Sequence, residues 1–283
     1  MEVVRTPDHR FARLSAYPYP SRSLALDEDG ELRLAYVAEG ANENRPVLLL
    51  HGPPTWSYLW RRVIPMLVEG GCRVVAPDLV GFGRSDKLVR ARDHRVERHA
   101  AWLTALVEVL DLRQAIVVAH GAAALLAFRL AATGSSPGGS AAGDEASARF
   151  ARLVCVSPLF APAGTPAEDV SASEPVARGC ADALSDATRT GYDAPFPDAE
   201  HRVGLGIQQV FVSGGPEELP PVRVPLVAVA GERDELAPLD WTSRLPGSPE
   251  CRRIQIGAAG HYVPEDRGPE LALALLALLG EKP

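Results

Sequence analysis

Gln114–Leu130, QAIVVAHGAAALLAFRL, is the stretch on which the reading of the chain turns. The β-branched run Ile116, Val117, Val118 stops at His120-Gly121, and an alanine-rich segment of good helix formers follows, so the pattern is strand, sharp turn, helix. That is the outline of a nucleophile elbow, whose apex is Ser, Asp or Cys held in a strained conformation that exposes its side chain above a sheet. Here the apex falls on Gly121, which takes a positive φ without steric cost and brings no reacting atom.

Working outward, short apolar runs alternate with helical patterns. Leu32–Glu39 (LRLAYVAE) alternates as a half-exposed strand, and Val47–Leu50 and Arg73–Ala76 are short buried strands. Between these last two, HGPPTWSYLWRRVIPML opens with a Gly-Pro-Pro break. Thr55 or Ser57 is then placed to cap a helix carrying Tyr58, Leu59 and Val63. His99–Leu110 reads as an amphipathic helix with Trp102, Leu103, Leu106 and Leu110 on its apolar stripe. Leu153–Val156, Leu226–Ala230 and Arg253–Ile256 are further strands, and Pro269–Leu279 is a closing helix. Alternation of this kind predicts a mainly parallel sheet wrapped by helices, with functional loops at the strand C-terminal ends. Thr133–Ala148, small, polar and glycine-rich, is expected to be a flexible surface loop. From about Leu159 to Pro221 the pattern weakens into Pro, Ala, Asp and Gly with short helical pieces, as expected of a lid over the sheet's C-terminal edge.

Composition narrows the function classes. A chain of 283 residues that is 46% hydrophobic can bury a large core. The net charge of -7 gives no electrostatic footprint for nucleic acid or an anionic membrane. Cys72, Cys155, Cys180 and Cys251 lack metal-type or C-x-x-C spacing, which points to buried free thiols in a reducing compartment and to no metal. The N-terminal residues lack a signal-peptide pattern, and no run approaches ~18 uninterrupted apolar residues, so a cytoplasmic location is expected.

With HGPPTWSYLWRRVIP, APDLVGFGRSDK, DLRQAIVV, GYDAPFPD and GHYVPED placed in that order, the sequence resembles the α/β-hydrolase fold, and within it the haloalkane dehalogenases, from about Gly30 to the C-terminus. The resemblance implies a mainly parallel sheet flanked by helices, with residues 1–158 and 222–283 as the core and 159–221 as an inserted helical cap. It also implies an aspartate nucleophile, a histidine that activates water, an acid that orients the histidine, and a halide clamp that includes a tryptophan beside the nucleophile.

His261 in GAAGHYVPED matches the histidine and Asp234 in AGERDELAP matches the orienting acid. The nucleophile position falls on Gly121, the tryptophan position on Ala122, and the residue before the nucleophile on His120, for which core packing is expected. In this fold one oxyanion-hole donor is the backbone N–H after the His-Gly pair. That position is Pro53, which has no N–H, so about 3 to 4 kcal/mol of oxyanion stabilisation is lost. Residues 159–221 contain no tryptophan. Trp56, Phe196 and Phe211 are candidates for lining a pocket, while Gly81, Phe82, Gly83, Ser85 and Asp86 read as loop-shaping residues.

Three functions follow from this pattern. The first is an enzyme that uses the His261–Asp234 dyad as a general base without covalent catalysis, on a small apolar substrate and without a cofactor, in elimination, cyclisation, oxidation or direct hydrolysis. The second is a catalytically dead relative that binds a small ligand or a partner protein. The third is an active haloalkane dehalogenase. Neither nucleic acid nor a membrane is expected as a partner, and the oligomeric state stays open.

Overall fold

A computed structural model describes residues 1–26, 31–133, 149–160, 171–211, 216–237, 239–244 and 251–280. In chain order its elements are β1 (Val3–Val4), β2 (Arg22–Ala25), β3 (Arg33–Glu39), β4 (Arg45–Leu50), α1 (Ile64–Glu69), β5 (Cys72–Pro77), β6 (Lys87–Leu88), α2 (Val96–Val109), β7 (Ala115–His120) and α3 (Ala123–Thr133). There follow β8 (Phe150–Val156), α4 (Ser173–Gly179), α5 (Asp186–Asp193), α6 (Gln208–Phe211), β9 (Leu226–Gly231), β10 (Cys251–Ile256), α7 (Val263–Asp266) and α8 (Gly268–Gly280). Eight strands form one sheet in the order β10-β9-β8-β7-β4-β5-β3-β2. Pairing is parallel from β10 to β5 and antiparallel where β3 meets β5 and β2.

The central strands are apolar along their whole length because both faces are covered. Every residue of β7 and β9 is buried, as are all of β4 but Arg45. Val47 faces Ile116 and Leu50 faces Ala119 across the β4–β7 ladder, and His120 is the last β7 residue, opposite Val156 of β8. Helix α3 packs on β7 and β8, α2 packs on α3, and α1 packs on β5 and α8. This α/β-hydrolase architecture agrees with the order read from the sequence.

Several local expectations are corrected. Neither Thr55 nor Ser57 caps a helix: the Thr55 hydroxyl donates to Gly52 O at 2.8 Å and the Ser57 hydroxyl lies 2.5 Å from Tyr17 Oη. Ser57–Arg62 is a 3-10 helix, and the α-helix begins only at Ile64. Helix α2 starts at Val96 rather than His99, and its buried face is His99, Leu103, Leu106 and Val107, with Trp102 and Leu110 at the margin. All four cysteines are free thiols, but only Cys72 and Cys155 are buried; Cys180 and Cys251 are partly exposed. Strand β2 and the two-stranded ribbon of β1 and β6 carry no clear period and were not foreseen. Of the stretch expected to be a flexible loop, residues 134–148 lie outside the described residues. Among the described residues no helix is long and apolar enough to cross a membrane.

The segment between β8 and β9 carries α4, α5 and α6 and is tied to loops at the C-terminal ends of β4, β5 and β10. Trp56 Nε1 donates to Gly191 O at 3.0 Å, Phe196 meets Phe82 edge-on, and His261 N donates to Gly179 O at 2.8 Å. The Asp266 carboxylate accepts from Gly260 N and from Ala181 N, each at 2.8 Å, joining the two segments through one buried side chain. These contacts set the insertion above the same strand ends that carry the His120-Gly121 bend.

Candidate active site

The bend after β7 is fixed from three sides. Gly121 has φ +59, its N–H donates to Val156 O at 3.1 Å, and its carbonyl accepts from Ala124 N at 3.2 Å as α3 begins. A side chain in this left-handed conformation is disfavoured, which is why glycine suits the position. Gly52 presses against the bend so closely that a Cβ there would lie 2.8 Å from His120 O and 3.1 Å from Ala122 N. By contrast, among the described residues beyond its two chain neighbours, a Cβ on Gly121 would have one neighbour within 4 Å, His261 Nε2 at 3.8 Å. The bend therefore aims position 121 at His261.

His261 follows β10 in a loop held by its own amide on Gly179 and by Gly260 on Asp266. Its Nδ1 lies 3.2 Å and 3.3 Å from the two Asp234 carboxylate oxygens, and the side chains are 3% and 0% exposed. Asp234 follows β9, and its Oδ1 also accepts from Leu236 N at 3.0 Å and Ala237 N at 3.1 Å, so the acceptor cannot swing away. Burial pushes the Asp234 carboxyl up, but the hydrogen bond and charge of His261 outweigh it. With help from the Ser157 hydroxyl and Leu236 N–H, they hold it below the usual carboxylate range. The carboxylate acceptor keeps a ring proton on Nδ1 and leaves Nε2 facing Gly121.

His120, expected as a packing residue, is buried and also touches the dyad. Burial, reinforced by the neighbouring His261, lowers its pKa to about 3. The neutral ring donates from Nε2 to His261 O at 3.0 Å, stacks on Tyr262 and meets the His261 ring edge-on at 5.1 Å. Ser157, at the end of β8 with φ +46, was missed in the sequence. Its buried hydroxyl acts on Asp234 from outside full hydrogen-bond geometry. Nothing in SPLF marks it, because its role depends on β8 lying beside β9.

The structure brings Gly121, Ala122, His120, His261 and Asp234 to one place, with Pro53 buried next to Gly52 on the bend. Trp56, Phe196 and Phe211 are each 3% exposed or less. Trp56 stacks on Tyr58, Phe196 lies against Phe82 and Phe211 against His99, all where the insertion meets the core. Gly81 and Gly83 turn the loop after β5 with φ +98 and +50; Ser85 Oγ donates to Asp78 O, and Asp86 accepts from Arg33 N. Also unforeseen is the buried pair beneath the insertion. Arg61 donates to both Glu265 oxygens at 2.6 and 2.7 Å, and Tyr192 Oη of α5 donates to Glu265 Oε2 at 2.5 Å. Among the described residues no group of three or more His, Cys, Asp or Glu side chains is arranged to hold a metal ion.

Comparison with known proteins places this geometry among relatives. The family profile described as the alpha/beta hydrolase fold matches residues 45–175. A haloalkane dehalogenase of Mycobacterium marinum is 35% identical across 98% of this chain and 99% of its own length. One of Psychrobacter cryohalolentis is 31% identical across the whole of both chains. Among solved structures, a tetrameric haloalkane dehalogenase of Paraglaciecola agarilytica superposes with a TM-score of 0.76 at 28% identity, covering 98% of each chain.

Proposed function

Since the chain belongs to the haloalkane dehalogenase family of the α/β-hydrolase fold, we propose that it is a member without the nucleophile, in which the His261–Asp234 dyad acts as a general base with no covalent intermediate. One observation carries this reading: Nε2 of a buried, carboxylate-oriented histidine faces the one place at the bend where residue 121 contributes only hydrogen. In the alkyl-enzyme mechanism the carbon–halogen bond breaks as a carboxylate oxygen bonds to carbon, and no atom of Gly121 can form that bond. Pro53 argues in the same direction, since its nitrogen offers no hydrogen to an oxyanion.

The retained dyad can still take a proton. Nε2 accepts it from a water or a substrate C–H or O–H held over Gly121, while the imidazolium that forms is stabilised by Asp234. A small, apolar substrate fits a site whose residue after Gly121 is the apolar, buried Ala122. The reaction is direct hydrolysis, elimination, cyclisation or oxidation.

The test is turnover of a panel of short esters, epoxides and haloalkanes by the wild type and by H261A and D234N. The reading predicts a turnover that H261A abolishes and D234N lowers by about 10²–10⁴-fold, as for other histidines deprived of their orienting acid. Saturable ligand binding with no product, unchanged in H261A, would instead establish a non-catalytic binding protein, a role Pro53 also permits.

A further inference from the structure

A hollow of about 400 Å³, sharing no described lining residue with the dyad, opens at the edge of the sheet, where β2, β3, the loop after β5 and the N-terminal segment meet. That volume is within the range of small-ligand sites. Its wall carries Arg22 from the start of β2, Arg33 from the start of β3 and Arg84 from the loop, against a single described carboxylate, Asp8. Three guanidinium groups and one carboxylate leave two positive charges in excess, in a chain whose net charge is -7. The buried Asp86 does not remove the excess. Its two oxygens receive Arg5 Nε and Nη2 at 2.6 and 2.8 Å, while Arg33 Nη2 stays 3.8 Å away and Arg33 Nε is buried with no hydrogen-bond partner among the described residues.

Each of the three cations keeps donors to give. Arg84 is held in place: its guanidinium carbon lies 5.0 Å from the Tyr17 ring centre and 5.3 Å from that of Phe11, and Nη1 donates to Tyr19 O at 2.9 Å. Arg22 lies on the outermost strand, and its guanidinium has no acceptor among the described residues. A charge there also discourages edge-to-edge pairing, but edge protection explains neither Arg84 nor the half-bonded Arg33. We infer that this hollow binds a phosphate monoester with a small apolar organic group. A phosphomonoester brings nearly two negative charges at neutral pH and three acceptor oxygens, which match the excess charge and suit the guanidinium forks. A carboxylate brings one charge. Phe11 and Ala35, both buried, line the hollow beside the arginines and suit an apolar group better than a further charge. The negative chain as a whole disfavours nucleic acid or an anionic membrane as the source of the phosphate, which leaves a free small molecule. The site goes beyond the general-base reading and does not depend on it.

Phenyl phosphate, benzoate and inorganic phosphate, titrated separately into the full chain by calorimetry at pH 7.5 and constant ionic strength, test this. Phenyl phosphate is expected to saturate one site, at least 10-fold more tightly than either of the others. Benzoate binding as tightly would remove the charge match, and inorganic phosphate binding as tightly would remove the organic group; either overturns the assignment, as does a failure of phenyl phosphate to saturate. R22Q and R84Q should each weaken phenyl phosphate at least 10-fold, and unchanged affinity in a folded variant overturns the site. Arg22 is exposed, so R22Q keeps the test open even where R84Q fails to fold. R178Q, at an exposed arginine of α4, should leave the affinity unchanged, as should H261A. A loss in R178Q as large as in R22Q means non-specific attraction, and a loss in H261A puts the ligand beside the dyad; both overturn the inference. Vesicles containing phosphatidic acid should not retain the chain, and retention that R22Q abolishes would replace the small molecule with a lipid headgroup.

Discussion

A single added methyl group at two glycines on either side of the same bend should have unequal costs, and the inequality runs against what backbone angles alone suggest. Gly121 has φ +59, so alanine there incurs left-handed strain of about 1–2 kcal/mol, but among the described residues beyond its chain neighbours its Cβ meets nothing closer than 3.8 Å. Gly52 has no positive φ, yet its Cβ would sit 2.8 Å from His120 O and 3.1–3.2 Å from two backbone nitrogens. These atoms belong to the end of β7 and the turn into α3 and cannot turn aside as a side chain would, so G52A costs about 3 kcal/mol in displaced backbone, the upper end for an overpacked site. At about 2.1 cal/mol/K per residue, 283 residues give an unfolding entropy near 0.6 kcal/mol/K. G121A should then lower Tm by about 2–3 °C and G52A by about 5 °C, read by calorimetry at one scan rate. A G121A chain destabilised as much as G52A would show that position 121 faces packed atoms. The contrast drawn between the two glycines would then fail.

Other perturbations have equally definite outcomes. Replacing Glu265 with alanine strands Arg61, 5% exposed, and leaves Tyr192 without its acceptor, so stability should fall by about 3–5 kcal/mol, about 5–8 °C in Tm; a loss under 1 kcal/mol would mean the pair is hydrated. His51 and His94 are lowered to about 4 and His120 to about 3, in each case chiefly by burial, against about 6.5 when unfolded. The unfolded chain therefore binds these protons first. The stability they contribute is whole above pH 6.5 and lost as pH falls towards 4, at up to about 4 kcal/mol per pH unit for the three together. Urea midpoints measured from pH 7.5 to 5 should drop steeply below 6.5, and a flat profile would contradict the burial of neutral rings. H120L should leave the chain folded but loosen the backbone at His261. It should lower kcat more than KM, whereas H120Q, which keeps a donor, should recover part of the loss.

The fold was legible because its central strands announce themselves. Val47–Leu50 and Ile116–Val118 are continuous apolar runs, and a sheet covered on both faces leaves few other readings. The bend was legible from His120-Gly121, and the dyad from the order of Asp234 and His261 after successive strands. Long-range partners were not. Ser157 reaches Asp234 only because β8 lies beside β9, and Glu265 joins Arg61 across 204 residues of sequence. Arg22–Ala25 was missed because edge strands are short and polar, and the α2 start because Arg95 offers no capping side chain. His120 looked like a packing residue, and packing it does, but its donated proton holds the backbone of the residue next to it in space.

The claim at the centre is that no bond forms between this chain and its substrate, and the intact mass of the wild-type protein tests it most directly. After incubation with 1-bromobutane and an acid quench, the account predicts the unmodified mass. A butyl adduct mapping to residues 119–123 would contradict it.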